Sequence, residues 1–317
     1  MFSFSHFLYV FSSGIPFPDN TFVCTGVSAG QKTKKEKDMH IIAKTSSLRN
    51  AQGTAKDGAA SFEFQIIDEH PIDYDEIDDI TALRPITSVH TLLRKDTDIC
   101  LEDLAVSELA AREFLKALKL ADRLSKDRGR STKLILHAKT TEVTEEAAIL
   151  IESAMKQFDV TLLVENTCRG PNDPTGNALP ASAPAIAGKL RKMCPGIDPE
   201  RFGTVLDTCH AMLTLRKHTP ENEYCLEDYF RAHGSDCRII HFANSRMPDE
   251  GLNHGCGFDT AEERALARML YDMARKYTPN ADIVVEMAEA DYTDAVNFRG
   301  ALALLRGFED ENADTDL

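Results

Sequence analysis

The chain contains no tryptophan, no two cysteines at Cys-x-x-Cys spacing and no apolar run that is long enough to cross a membrane. The 8 cysteines include no Cys-x-x-Cys pair, so neither a zinc-ribbon spacing nor a compact disulfide framework is present. We expect reduced thiols in a cytoplasmic protein. The apolar N-terminal segment, residues 1–11, lacks a basic start and is too short to span a bilayer, so no membrane partner is expected.

Positive charge is also scarce. The 317 residues include 51 acidic and 36 basic side chains, which gives a formal net charge of -15. A surface of this sign does not attract a polyanionic partner such as nucleic acid. Bound cations could overcome that field locally, because they are often the largest charges in a site.

Both ends of the chain differ in composition from its middle. Residues 1–38 join the apolar segment to a Gly/Ser/Lys-rich stretch, and Met39 stands directly before the first strand-like segment. We interpret residues 1–38 as an extension upstream of the biological start and outside the fold, with a weak targeting peptide as the alternative. Residues 309–317 form an acidic C-terminal tail that we expect to be frayed. One domain is therefore expected over residues 39–308.

The middle of the chain alternates between short apolar segments and segments of helical periodicity. Strands are predicted at 40–45, 61–67, 86–91, 132–138, 160–166, 202–208, 237–243 and 282–288. Helices are predicted at 48–58, 72–82, 101–126, 144–157, 180–193, 223–233, 260–276 and 292–306. Eight such units predict an α/β fold, a single-domain (β/α)8 TIM barrel. A doubly wound open sheet is the alternative, but no G-x-G-x-x-G turn follows the first strand.

Six of the apolar segments end in a residue that can bind a metal ion. These residues are His90, His137, Glu165, Asp207, His241 and Glu286. In a parallel barrel the carboxyl ends of the strands form one face, where active sites are built. His210, three residues after Asp207, and His254, in a loop after the seventh strand, are two further candidates. Imidazole and carboxylate groups are typical ligands of zinc or manganese, and eight of them exceed what one four-coordinate ion needs.

Each of these residues also has a structural interpretation. A single histidine or aspartate at a strand end is more often a hydrogen-bonded structural residue than a ligand. Carboxylates that are buried together repel one another and would be partly protonated without a cation. The group as a whole therefore indicates a site for two or three metal ions that share a bridging carboxylate.

Three segments around these residues resemble signature segments of the endonuclease IV family of apurinic/apyrimidinic endonucleases. They are LLVENT at 162–167, VLDTCHA at 205–211 and HFANSR at 241–246. The Asp-Thr-Cys-His element that begins at Asp207 is the most specific of them. The resemblance extends from Met39 to about Phe308. The wider superfamily is that of the xylose-isomerase-like TIM barrels, which includes sugar isomerases and epimerases.

The resemblance implies a zinc-dependent phosphodiesterase that cleaves DNA on the 5′ side of abasic sites in base excision repair. It implies two or three zinc ions, with manganese as a possible replacement, and Glu165 and Glu286 as the catalytic residues. Abasic DNA would be the partner of a monomer in the cytoplasm or on the nucleoid. The implied ligand sets are His90, His137 and Glu165 for the first ion; Glu165, Asp207, His241 and Glu286 for the second; His210 and His254 for the third.

The chain departs from the family pattern at several positions. Leu252 stands where the family has an aspartate ligand of the third ion, and leucine cannot bind metal. Lys44 replaces a first-strand histidine, and Asn244 replaces an aspartate after the strand-seven histidine. The loop at 68–76 is acidic, although phosphate contacts are mostly made by Lys and Arg. These departures affect the third ion and the DNA substrate more than the hydrolytic chemistry.

Two other functions remain open from the sequence. A sugar isomerase or epimerase on the same barrel needs one divalent ion, on groups such as Glu165, Asp207 and His241, and does not need all the histidines. A non-catalytic barrel could keep a partial metal site and serve as a binding partner. The intact set of strand-end residues opposes this last possibility, and Leu252 mildly favours it.

Overall fold

Eight parallel strands close into a barrel, which confirms the predicted TIM-barrel fold. The computed structural model describes residues 40–92, 99–168, 177–217, 224–246 and 253–315. The N-terminal extension proposed from the sequence lies outside the described residues. The barrel strands are β1 (Ile41–Thr45), β2 (Ser61–Gln65), β3 (Ile86–His90), β4 (Thr132–His137), β5 (Val160–Glu165), β6 (Phe202–Asp207), β7 (Cys237–Phe242) and β10 (Asp282–Val285). Each strand pairs with the next, and β10 pairs with β1 to close the ring.

Helices follow the strands and cover the outside of the barrel. They are α1 (Leu48–Lys56), α2 (Tyr74–Leu83), α3 (Glu108–Arg128), α4 (Glu145–Met155), α5 (Ser182–Met193), α6 (Thr208–Lys217), α7 (Leu226–His233), α8 (Ala261–Tyr277) and α9 (Val296–Thr315). The predicted helix at 101–126 is divided: residues 101–105 form a 3-10 turn, and α3 begins after Ser107, whose side chain accepts a hydrogen bond from the Ala110 N–H. Helix α9 continues through most of the acidic tail, to Thr315.

Two elements were not predicted. Helix α6 starts directly after β6 without a loop, and its sequence was treated only as a motif. A short antiparallel hairpin, β8 (Asn244–Arg246) and β9 (Asn253–Cys256), follows β7. Among the described residues, none of the helices combines the length and apolar character needed to cross a bilayer. None of the cysteines in the described part of the chain forms a disulfide bond.

The interior of the barrel contains an apolar floor beneath its carboxyl end. The floor is a cluster of six fully buried side chains, Ile42, Ile135, Leu163, Val205, Ile239 and Val284. Strand side chains alternate with period two, so the residue two positions farther along faces the same way. In all six strands that residue is charged or ionisable: Lys44, His137, Glu165, Asp207, His241 and Glu286. The fold therefore sets a polar ring directly above an apolar layer.

Strands β2 and β3 depart from this arrangement. Two residues before Gln65 and His90, where the other strands have an apolar side chain, they carry Glu63 and Ser88. Both are fully buried, and Ser88 Oγ lies 3.0 Å from Glu63 Oε2. The floor thus contains a buried carboxylate on one side.

Candidate metal centre

The carboxylate of Glu165 lies at the centre of the predicted site. Glu165 is the last residue of β5 and is 1% exposed. Its Oε2 lies 3.2 Å from His90 Nε2, and its Oε1 lies 3.4 Å from His137 Nε2. One ligand atom from each of these three residues lies within 4.8 Å of the others. This is the geometry of a site for one ion, formed by the ends of three neighbouring strands.

A second group shares Glu165. His241 Nδ1 lies 3.4 Å from Glu165 Oε1, 3.8 Å from Asp207 Oδ2 and 3.0 Å from Glu286 Oε2. Glu165, Asp207 and His241 also place ligand atoms within 4.8 Å of one another. The two groups meet at one carboxylate, whose Oε1 lies 3.4 Å both from His137 of the first group and from His241 of the second.

Asp207 serves the fold as well as the site. Its Oδ1 accepts a hydrogen bond of 2.7 Å from the His210 N–H, in the first turn of α6, as a helix-capping residue does. Its Oδ2 remains on the side of His241 and of His210, whose Nδ1 is 3.6 Å away. The immediate start of α6 therefore fixes Asp207 and brings His210 back over the barrel mouth.

Backbone carbonyl groups set the ring orientation of two histidines. His90 Nδ1 lies 3.0 Å from the carbonyl oxygen of Thr91, and His210 Nδ1 lies 2.9 Å from that of Asn166. A carbonyl oxygen can only accept, so both Nδ1 atoms carry the proton. In each ring Nε2 is then the nitrogen available to a metal ion.

Seven of the eight predicted ligands thus converge at one end of the barrel. The exception is His254: its backbone lies in β9, paired with Ser245 of β8, but its side chain is outside the described residues. Leu252 is also outside them. The third ion therefore remains a prediction from sequence.

Two residues of the site were not recognised as such from the sequence. Lys44 Nζ lies 2.9 Å from Glu286 Oε1 and 3.7 Å from Glu63 Oε1, and Glu63 Oε1 lies 3.0 Å from His241 Nε2. The alternation of polar and apolar residues in Ser61–Gln65 places Glu63 on the face of the strand opposite to Phe62 and Phe64. That pattern alone is typical of a half-exposed strand and does not reveal that Glu63 reaches the ligand cluster.

Charge in the cluster is strongly unbalanced without added cations. Four carboxylates meet one permanently charged ammonium group, that of Lys44. Although burial favours the neutral form, the carboxylates raise the pKa of His241 well above its usual range, and Asp207 and Glu165 raise that of His210 to about 9. Protons thus compensate for the missing positive charge.

The same surroundings suit divalent ions. Neither ring nitrogen of His241 makes a well-formed hydrogen bond to the described residues, although carboxylate oxygens lie within 3.0–3.8 Å of them. A buried imidazole that lies near carboxylate oxygens without forming hydrogen bonds to them is typical of a metal-binding site without its ion. The donor set, imidazole and carboxylate, fits zinc or manganese.

The acidic loop and Arg246 have structural roles. Asp73 caps α2, and Glu76 Oε1 accepts a 2.7 Å hydrogen bond from the Leu48 N–H at the start of α1. Arg246 forms ion pairs with Asp259 and Glu263. Part of the acidic charge at this face is therefore used in holding the fold.

Comparison with known proteins shows the fold. No protein-family model and no curated protein sequence matches the chain. An AP endonuclease of family 2 from Brucella melitensis superposes with a TM-score of 0.54 at 14% identity, covering 85% of this chain and 98% of that one. A D-allulose 3-epimerase from Methylomonas sp. in complex with D-allulose gives 0.52 at 13% identity, covering 86% and 97%.

A third solved structure has the same fold. A xylose isomerase-like TIM barrel protein from Mycobacterium smegmatis, in complex with magnesium, gives a TM-score of 0.53 at 10% identity and covers 86% and 97% of the two chains. At such identities the likeness establishes the TIM-barrel fold and no more. The AP endonuclease and the epimerase are named for different reactions, so the chemistry must be argued from the site.

Proposed function

We propose that this protein is a metal-dependent phosphodiesterase that cleaves DNA on the 5′ side of abasic sites. The observation that carries the proposal is the position of Glu165, whose carboxylate lies within 4.8 Å of ligand atoms of His90 and His137 and also of Asp207 and His241. Two ions that share a carboxylate lie roughly 3.5–4 Å apart, the separation used for in-line displacement at phosphorus. A single-ion enzyme does not need His90 and His137 as well.

The proposed ligands would be distributed over two metal ions. His90 and His137 would hold one ion, Asp207, His241 and Glu286 the other, and Glu165 both. Bound zinc would supply Lewis acidity and lower the pKa of water. Glu286 presents one carboxylate oxygen to the cluster and the other to Lys44. The Lys44 ammonium adds a fixed positive charge beside the position that a phosphate would occupy.

DNA as the substrate is supported by the motif resemblance and by the fold of the AP endonuclease neighbour. The negative surface opposes it, but the capping roles of Asp73 and Glu76 reduce that objection. We expect phosphate contacts to be concentrated at the metal centre, where the cations lie.

Incision of a duplex that carries one tetrahydrofuran abasic analogue tests the proposal. The zinc-loaded protein is expected to cut 5′ to the analogue, a chelator is expected to stop it, and Glu286→Ala is expected to abolish it. His40→Ala is the matched control, because His40 lies at the opposite end of the barrel, 3.3 Å from Ser61. Incision that survives in the Glu286→Ala protein would contradict the mechanism.

A sugar isomerase or epimerase is the second candidate. A pocket of ≈ 160 Å³ beside the cluster is lined by Lys44, Gln65, Glu286 and Tyr292, among others. It is small and polar, which suits a sugar better than a large apolar ligand. One manganese or magnesium ion per chain, together with turnover of a ketose, would favour this function over hydrolysis.

A further inference from the structure

The floor carboxylate Glu63 is fully buried and has three partners. Its Oε2 accepts a hydrogen bond from Ser88 Oγ at 3.0 Å. Its Oε1 lies 3.0 Å from His241 Nε2 and 3.7 Å from Lys44 Nζ. Burying a carboxylate costs free energy unless its charge is paired. The charge of Glu63 must therefore be balanced by its neighbours or serve a function. Glu63 lies below the ligand cluster, on the side away from the barrel mouth.

His241 lies between Glu63 and the cluster. Its Nε2 faces Glu63, whereas its Nδ1 faces Glu286 and Glu165 at 3.0 Å and 3.4 Å. A histidine that binds a metal through one nitrogen usually donates its other N–H to a carboxylate or carbonyl, which fixes the ring and makes it a better ligand. Glu63 Oε1 lies in the place of that acceptor, 3.0 Å from His241 Nε2, although the two atoms are not aligned for a hydrogen bond.

Lys44 extends the same arrangement to Glu286. Its Nζ lies 2.9 Å from Glu286 Oε1, so the other oxygen, Oε2, is left 3.0 Å from His241 Nδ1. The ion pair of Glu63 and Lys44 therefore contacts two ligands of the second predicted ion. Glu63 contacts His241, and Lys44 contacts Glu286.

The ligands of the first predicted ion have other close partners. His90 Nδ1 lies 3.0 Å from the Thr91 carbonyl oxygen, and His90 Nε2 lies 3.2 Å from Glu165 Oε2. His137 contacts Glu165 at 3.4 Å. Glu63 and Lys44 instead contact each other, His241, Glu286 and Ser88.

We propose that Glu63 and Lys44 are positioning residues of the second ion site only, where they orient His241 and Glu286 toward the ion. This inference rests on the proposed function in one respect, that the protein holds two ions. Loss of an outer partner of this kind lowers metal affinity about 10–100-fold. The second ion is therefore expected to weaken by this factor while the first keeps its affinity.

The test uses the double substitution Lys44→Met/Glu63→Gln. It removes one positive and one negative charge, so the net charge around the ions is unchanged. A loss of affinity then does not result from a change of net charge at the site. The matched control is Glu113→Gln/Lys116→Met, which removes another ion pair with a buried carboxylate, on α3.

Metal-free full-length protein is titrated with Co²⁺, and the visible absorption is followed. We expect two binding steps in the wild type and the control. In the double variant the step that belongs to the first ion site should keep its affinity and spectrum. The step that belongs to the second ion site should weaken about 10–100-fold. His90→Ala, which should weaken the other step, identifies which step belongs to which site. Circular dichroism checks that each variant is folded.

The outcomes separate the two proposals. Equal weakening of both steps, or two unchanged steps, would refute the positioning role even if the wild type incises abasic DNA. Two steps with the expected selective loss, but no incision by the zinc-loaded wild type, would refute the phosphodiesterase and leave the positioning role supported. A single step in the wild type would overturn both.

Discussion

Glu165 is the residue on which the candidate centre depends most. It is the only side chain shared by the two ligand groups among the described residues. His137 and Glu165 are also direct neighbours in the register of β4 and β5, and they are the last residues of those strands. In the proposed two-ion centre, loss of a ligand elsewhere would affect one ion, whereas loss of Glu165 would affect both.

Glu165→Gln is therefore expected to reduce bound zinc from two or more ions to one or none, and to lower incision by at least about 10³-fold. Metal analysis after gel filtration measures the first effect. Glu200→Gln is the control, because Glu200 is exposed and precedes β6 at the other end of the barrel. Retention of two ions by the Glu165→Gln protein would show that the carboxylate does not bridge them.

The hairpin β8–β9 is the element that supports Glu286 from outside the barrel. The carbonyl oxygen of Gly255, in β9, accepts a 2.8 Å hydrogen bond from the Ala288 N–H. Gly255 has φ +78°, and a Cβ placed there would lie 2.8 Å from Ala288 N and 3.2 Å from the Glu286 carbonyl oxygen. The glycine thus permits close approach of the hairpin to the Glu286 segment.

Gly255→Ala is expected to move the hairpin away from residues 286–288. Strain at positive φ should cost about 1–2 kcal/mol of unfolding free energy, and zinc affinity should fall as well. Gly129→Ala separates the two effects, since Gly129 has φ +61° but nothing within 4 Å of the added Cβ. We expect this control to lose stability without losing zinc, as measured by urea unfolding and metal analysis. Equal zinc binding in both variants would argue against the supporting role.

Helix α7 ends in a buried histidine that should make stability depend on pH. His233 is 1% exposed, its Nδ1 lies 2.9 Å from Thr204 Oγ1, and burial lowers its pKa from 6.5 to about 3. The unfolded chain therefore binds a proton at pH values where the folded chain does not. The stability is fully present above pH 6.5 and is lost as the pH falls toward 3.

His233→Gln tests this because glutamine can keep the hydrogen bond but does not titrate in this range. Between pH 8 and pH 5 the wild type should lose about 2 kcal/mol more unfolding free energy than the variant. Urea unfolding at the two pH values measures the difference. Parallel losses in both proteins would show that His233 is not the group responsible.

At the scale of the whole molecule, the net charge of -15 limits binding to nucleic acid. Nonspecific affinity depends on phosphates neutralised by Lys and Arg. Arg246 on the active face is already paired with Asp259 and Glu263. If the proposed function holds, most of the attraction for DNA would therefore come from cations bound at the barrel mouth.

Affinity for an undamaged duplex is expected to be weaker than about 10⁻⁴ M at physiological salt, with a shallow salt dependence. A duplex with an abasic analogue should bind more tightly, and only with zinc present. Fluorescence anisotropy over a salt series measures both. Tight binding to undamaged DNA that survives chelation would mean that a basic surface outside the described residues carries the affinity.

The sequence by itself determined the architecture and predicted which strand ends carry the candidate ligands. A short apolar segment predicts a buried strand, and a ligand-type residue at its end predicts where that side chain lies. Because the carboxyl ends of parallel strands meet at one end of the barrel, these residues are expected to lie together. Strand ends were predicted within three residues, as for β10, predicted to 288 and ending at Val285.

Only the tertiary structure decided which side chains touch. Glu63 and Ser88 occupy the floor layer, and Lys44 reaches Glu286, because closure of tilted strands sets the register between neighbours that are distant in sequence. Helix α6 was missed because Asp207 is at once a strand end, a helix cap and a candidate ligand, and sequence patterns assign one role to each residue. The depth of a side chain in a barrel follows from the strand register around the whole ring. That register is set only when all eight strands have closed.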